Sequence, residues 1–110
     1  MQHRTGMRVR TDFHVIARDG GLSCRCRGIE VSASGIVIDR GRRIRRSDER
    51  LLVDLELRLP ERIRVIRTKA RPIWSMGSRQ AFRFVTMSDA DRLTLAEHVD
   101  LQSLRGVGVC

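Results

Sequence analysis

The sequence predicts an all-β body closed off by a single C-terminal helix. Three observations carry that expectation. Prolines number only two and glycines nine in 110 residues, with β-branched side chains throughout. Several stretches alternate apolar and polar residues with the period of two that a half-buried strand needs. After residue 88 the period lengthens to that of a helix.

The elements follow in order. Phe13, Val15 and Ala17 alternate with His14, Ile16 and Arg18, giving a first strand over about residues 12–18. Gly20-Gly21 is a hairpin signal, and residues 22–32 read as a second strand with Leu22, Cys24 and Cys26 on one face. A turn at Ala33-Ser34-Gly35 leads into Ile36-Val37-Ile38-Asp39. The segment Arg40–Arg50 holds six arginines and reads as a solvated, charged loop. Leu51, Val53, Leu55, Leu57 and Leu59 then occupy every second position, the cleanest strand in the chain. Beyond Pro60-Glu61, Ile63 and Val65 alternate with Arg62 and Arg64. Pro72 favours an edge or a bulge before Ile73-Trp74. Past a Gly77-Ser78 turn, Phe82 and Phe84 alternate with Ala81, Arg83 and Val85. Ser88 is a good N-cap, with Asp89 and Asp91 in the first turn where the helix dipole favours anions. Leu93, Ala96, Val99 and Leu104 define the expected apolar stripe of a helix over 89–104, and Gly106 and Gly108 a loose tail. About six antiparallel strands followed by one helix are therefore expected. They form one domain: an arm (1–10), the β body (11–87), the helix (88–104) and a tail (105–110).

A chain of this size buries roughly two-thirds of its unfolded surface, enough for a core without staples. No apolar run approaches the ~20 residues that span a bilayer, and the first residues lack the apolar stretch of a signal peptide. A cytoplasmic protein with no membrane partner is expected. Lys and Arg total 22 against 13 Asp and Glu, a formal net charge of +9. Of these cations all but Lys69 are arginine, whose planar fork suits phosphates and guanine edges. A codon bias toward Arg, as in a GC-rich genome, is the expected main cause of this excess, so composition points toward a polyanionic partner without establishing one.

Two short patterns carry chemistry. Arg4-Thr5-Gly6-Met7-Arg8 sets two guanidinium groups four residues apart on an arm before the first strand. The spacing alone is weak, since it recurs at Arg42/Arg46, Arg46/Arg50, Arg58/Arg62, Arg67/Arg71 and Arg79/Arg83. Glu30-Val31-Ser32-Ala33-Ser34-Gly35 ends the second strand. Alternation places Glu30 and Ser32 on one face, and Gly35 permits a positive φ or a close approach to the backbone. A carboxylate beside a hydroxyl can accept from and donate to a purine edge, although in isolation the segment reads as an ordinary strand end.

In combination and in order, these features resemble the PilZ domain, a bacterial receptor module for cyclic di-GMP. Its signature is Arg-xxx-Arg followed by (Asp/Asn)-x-Ser-x-x-Gly, matched here by Arg4, Arg8, Ser32 and Gly35, with Glu30 at the acidic position. The resemblance covers about residues 3–100. It implies a six-stranded antiparallel β-barrel with a helix after the last strand and the ligand held against the outer barrel face. Arg4 and Arg8 would grip the phosphates and the guanine O6/N7 edges. Glu30 would accept from a guanine N–H, Ser32 would hydrogen-bond nearby, and Gly35 would keep the surface bare. Glu30 projects one methylene further than the family's Asp or Asn, and His3 stands where many members carry an extra Arg. The function implied is a non-enzymatic cyclic di-GMP receptor and adaptor that relays the second messenger to a downstream effector protein, as a monomer or homodimer. The alternatives are a PilZ-like adaptor that binds protein and not nucleotide, or a basic nucleic-acid-binding β-barrel. The last is disfavoured because single-strand binders need aromatic platforms. Only Phe13, Trp74, Phe82 and Phe84 are present, three of them at expected core positions.

No catalytic or metal constellation is expected. Three cysteines do not make a disulfide framework, and Cys24 and Cys26 read as core residues with Cys110 in the tail. His3, His14 and His98 are scattered, whereas a structural metal site needs four ligands at matched spacings. Neither a nucleophile–base arrangement nor a phosphate-cradling Gly-rich loop followed by Lys is visible.

Overall fold

Gly20 and Gly21 have φ angles of 53° and 96°, the left-handed pair that a two-residue hairpin turn of the right twist requires. They join β1 (Val9–Asp19) to β2 (Leu22–Val31). The computed structural model describes residues 7–49, 51–60 and 63–108. Four further strands follow, β3 (Gly35–Asp39), β4 (Val53–Arg58), β5 (Ile66–Met76) and β6 (Arg79–Met87), and then α1 (Asp89–Gly108). All pairings are antiparallel, and the sheet closes on itself in the order β1-β2-β3-β6-β5-β4, with β4 returning to β1. The expected six-stranded antiparallel barrel with one C-terminal helix is the fold found. Among the described residues no helix is long and apolar enough to cross a membrane.

Closure leaves each strand one inward set. Phe13, Val15 and Ala17 from β1, Val53, Leu55 and Leu57 from β4, and Ile36, Ile38 and Phe82 from β3 and β6 fill the interior. The alternation in the sequence locates most of these residues. Several boundaries differ from expectation. Leu51, expected in the fourth strand, lies exposed ahead of β4, which begins at Val53. Val9 and Arg10, assigned to the arm, already pair with Val31 and Glu30 in the sheet. Residues 63–65 do not form strand: Ile63 lies fully exposed in a bend. The inward parity of β5 belongs to Ile66, Thr68 and Ala70, the opposite set from Ile63 and Val65.

The helix covers one end of the barrel. Ser88 accepts the backbone N–H of Asp91 at 3.1 Å, the expected N-cap. The helix runs on past residue 104 to Gly108, and its buried face is not the expected one. Of the expected stripe only Val99 is buried; Leu93, Ala96 and Leu104 are exposed, and Asp91, Leu95 and His98 are buried instead. Apolar residues are spread almost evenly round this helix, so polar groups with partners decide the face. His98 Nε2 lies 2.8 Å from Thr11 Oγ1, and its ring meets Phe13 edge-on. Asp91 takes the Arg64 guanidinium at 3.0 Å and the Arg67 N–H at 3.3 Å.

The opposite end is closed by polar groups. The sequence predicts a solvated loop from residue 40 onward, but the Arg40 side chain is wholly buried. Its Nε donates to Gln80 Oε1 at 2.9 Å, and Gln80 Nε2 donates to the Asp48 carbonyl at 3.0 Å. Asp48, also buried, accepts both Arg42 guanidinium nitrogens at 2.8 and 2.9 Å and the Arg45 N–H at 2.7 Å. Asp19 Oδ2 lies 3.6 Å from Arg40. Backbone bonds from Arg40 to Ser78 and from Ile44 to Gly77 fasten this segment over the β5–β6 turn. Arg43, Arg45 and Arg46 are exposed as expected, and Arg50 lies outside the described residues. A run of arginine reads as solvent-facing because a buried guanidinium is costly. Here two buried carboxylates, 3.6 and 3.7 Å away, and one hydrogen-bonded amide face it.

The Arg42 guanidinium bonded to Asp48, with help from the Arg45 N–H and Arg40, holds the Asp48 carboxyl down to about 2 against an ordinary 3.8. A depressed carboxylate contributes stability that is fully present above the unfolded value and lost as the pH falls through the folded one. At pH 6, Asp48→Asn is therefore expected to cost about 2 kcal/mol in urea unfolding, and its gap from the parent should close as pH falls toward 2. A gap that stays constant with pH would remove the carboxylate from this role. A second expectation concerns Gly35, where an added Cβ would sit 2.4 Å from the Phe82 carbonyl oxygen across β3–β6. Gly35→Ala should cost about 1–3 kcal/mol by overpacking, read as an earlier urea midpoint. An unchanged midpoint would mean that the two strands separate freely there.

Candidate functional site

Register shifts mark one flank of the barrel. The β1–β2 register shifts between Arg10 and Phe13, the β2–β3 register between Gly28 and Glu30, and the β5–β6 register between Pro72 and Trp74. In β2 and β5 the shift reverses in–out parity beyond it, whereas the odd positions of β1 face inward throughout. In β2 the inward set passes from Cys26 and Gly28 to Val31, so Glu30 lies on the outer side. In β5 the bulge leaves Ile73 and Trp74 both exposed on the outer face. Proline is suited to such a position because it has no N–H to give to the ladder.

These devices build a hollow of about 240 Å³ against the outer face of β2, β3, β6 and β5. Arg8, Glu30, Ser32 and Gly35 all line it, with Trp74 and Arg83. Four of the five residues singled out in the sequence thus come together, although they span residues 8 to 35. Arg4, the fifth, lies outside the described residues, as does His3. At this volume the hollow falls below the range of pockets that enclose a small-molecule ligand. A dinucleotide would lie against an open face with part of its surface in water.

The individual roles are distinct. Arg8 Nη1 lies 3.8 Å from Glu30 Oε1, and both side chains are well exposed. Such a screened pair is worth no more than about 1 kcal/mol, so an anion can readily replace it. Ser32 is buried, and its hydroxyl accepts the backbone N–H groups of Ser34 and Gly35, each at 3.2 Å. Its own N–H donates to the Gly35 carbonyl at 2.9 Å. Ser32 therefore shapes the turn that carries Glu30 on one side and Ser34 on the other. Gly35 has no positive φ. What requires glycine there is the close approach of the Phe82 carbonyl described above, which also leaves the floor bare beside Arg83.

Sequence reasoning missed Trp74, Ser34 and Arg83 as lining residues. A signal for Trp74 existed: a bulge at Pro72 reverses parity and turns the next aromatic outward. Val37 and Ala81, on the outer side of their strands yet buried, supply the apolar floor. Elsewhere, Cys24 and Cys26 are free thiols with Sγ atoms 3.8 Å apart. Burial, with Cys24 alongside, pushes the Cys26 thiol up to about 12, which makes it a poor nucleophile at neutral pH. Among the described residues no three metal-ligating groups gather.

No protein-family model matches the chain, and no curated protein matches it. Solved structures do. The chain is similar to the inhibitor of motility MotI/DgrA of Bacillus subtilis, with a TM-score of 0.74 and 19% identity over 96% of this chain and 53% of that one. It thus spans about half the length of that protein. It is also similar to an uncharacterized Legionella protein, Lpg0364, with a TM-score of 0.57 and 15% identity over 94% of this chain and 99% of that one. At these identities the likeness is one of fold, a PilZ-like barrel.

Proposed function

We propose that the protein is a non-enzymatic cyclic di-GMP receptor that passes the state of its site to a downstream protein. The observation that carries this reading is the convergence of Arg8, Glu30, Ser32 and Gly35, with Trp74, on one outer face of the barrel. A cyclic diguanylate presents two phosphate anions and two purine edges. The exposed Arg8–Glu30 pair separates at little cost, freeing the guanidinium for a phosphate or a guanine O6/N7 edge. Glu30 is then free to accept from a guanine N–H. Trp74 offers a flat ring against which a base can stack, an interaction worth about 1–3 kcal/mol. The PilZ-like barrel supports the same reading, and the motility role in the name of MotI/DgrA makes a motility output reasonable. The site is expected to work in the cytoplasm. In the second reading the same barrel is an adaptor that binds protein and not nucleotide, favoured by the internal pairing of Arg8 with Glu30.

Isothermal titration calorimetry with cyclic di-GMP, and GTP as control, separates the two. Saturable binding of the cyclic ligand alone is expected, and Arg8→Ala should weaken it at least tenfold, about 1.4 kcal/mol or more. Glu30→Asp should bind as tightly as the parent or more tightly, since the shorter acid restores the family pattern. A flat titration of folded parent protein would leave the protein-only adaptor. Normal binding by Arg8→Ala would remove the arm from the site.

A further inference from the structure

Most arginines on the strands of this barrel have a carboxylate. Arg18, Arg58 and Arg67 surround Glu56, Arg27 reaches Asp12, and Arg79 lies near Asp39. Of the strand arginines without an ion pair among the described residues, Arg10, Arg25, Arg71 and Arg83, only the last two face each other. They are direct partners across β5 and β6, hence on the same outer face, and both are exposed. Neither has a carboxylate within ion-pairing distance among the described residues. Glu49 lines the shallow hollow that holds Arg71 without pairing with it. Like charges directly opposite across a strand pair are destabilising, and no ion pair among the described residues offsets the repulsion of this one.

Its surroundings are those of a ligand site. Arg83 lines the same hollow as Arg8 and Glu30, and Arg71 lines the adjoining one; Trp74 and Ile73 are common to both. On its other side Arg83 faces Gly35 across β3 and β6, where no side chain intervenes. Glu30 on β2 and Arg83 on β6 lie two strands apart, with β3 between them. The hollow thus has cationic groups at both walls and a bare strip between them.

We infer that Arg71 and Arg83 form a second anion clamp, which takes a phosphoryl group beside Trp74 while Arg8 serves the other wall. Two guanidinium forks converging on one tetrahedral anion give charge-assisted, bidentate hydrogen bonds and cancel the repulsion between them. The inference rests on the proposed function for the identity of the ligand, a molecule carrying two separated phosphate groups. The clamp itself requires only a phosphoryl anion.

Trp74 is the only tryptophan in the chain, so its fluorescence reports from the clamp. In a titration with cyclic di-GMP, the parent is expected to show a saturable change, and Arg71→Gln and Arg83→Gln should each need at least tenfold more ligand. Arg25→Gln, at an exposed position of β2 that lines neither hollow, should behave as the parent. In urea both clamp variants should unfold no earlier than the parent, because each relieves the repulsion. If they bind like the parent while Arg8→Ala does not, the clamp is wrong and the proposed function stands. If the parent ignores cyclic di-GMP, that function falls, and inorganic pyrophosphate tests the clamp alone. A saturable Trp74 response to pyrophosphate that persists in Arg8→Ala and disappears in Arg71→Gln and Arg83→Gln would support it. Absence of any response in the parent would overturn it.

Discussion

Closure of six strands into one small barrel is the constraint on which the rest depends. Once the last strand pairs with the first, every strand has one inward and one outward set of side chains, and no edge remains where an exception can be placed. Exceptions must come from bulges. The bulges within β2 and β5 bring Glu30 and Trp74 to the outer face beside a bare glycine. The site is thus a local departure from a regular barrel, made on the flank where β2, β3, β6 and β5 run side by side.

The regular part of the fold was legible in the residues. The alternation along β4 needs no help from context: Val53, Leu55 and Leu57 point inward as their period requires, and the Gly20-Gly21 turn forms where the dipeptide stands. What escaped was governed by partners distant in sequence. His98 is buried on α1 because Thr11, 87 positions earlier, meets its ring nitrogen. Arg40 is buried because Gln80 and two carboxylates come to it. No periodicity within the helix or the loop carries that information. The candidate site was legible as a list of residues but not as a surface, because the aromatic wall depends on parity after Pro72.

Two of the motif residues act through the backbone. Ser32 commits its hydroxyl to the turn it belongs to, and Gly35 is demanded by the carbonyl of Phe82. A sequence pattern associated with ligand binding can therefore persist for reasons of folding alone. Arg8 and Glu30, both exposed and loosely paired, have no such structural duty. In the proposed function, recognition on this face therefore falls to the exposed groups, and the serine and glycine supply the platform.

The two ends of the barrel are closed by different chemistry, one by a helix seated on Leu95 and Val99, the other by a network of guanidinium and carboxylate groups. Strong acid removes carboxylate charge at both ends, Asp48 at one and Asp91 at the other, but at the helix end the packing of Leu95 and Val99 remains. The molecule therefore has a built-in order of opening. As acid weakens it, amide protons around residues 40–48 and the β5–β6 turn are the first to lose protection from exchange, while those under the helix keep theirs longest.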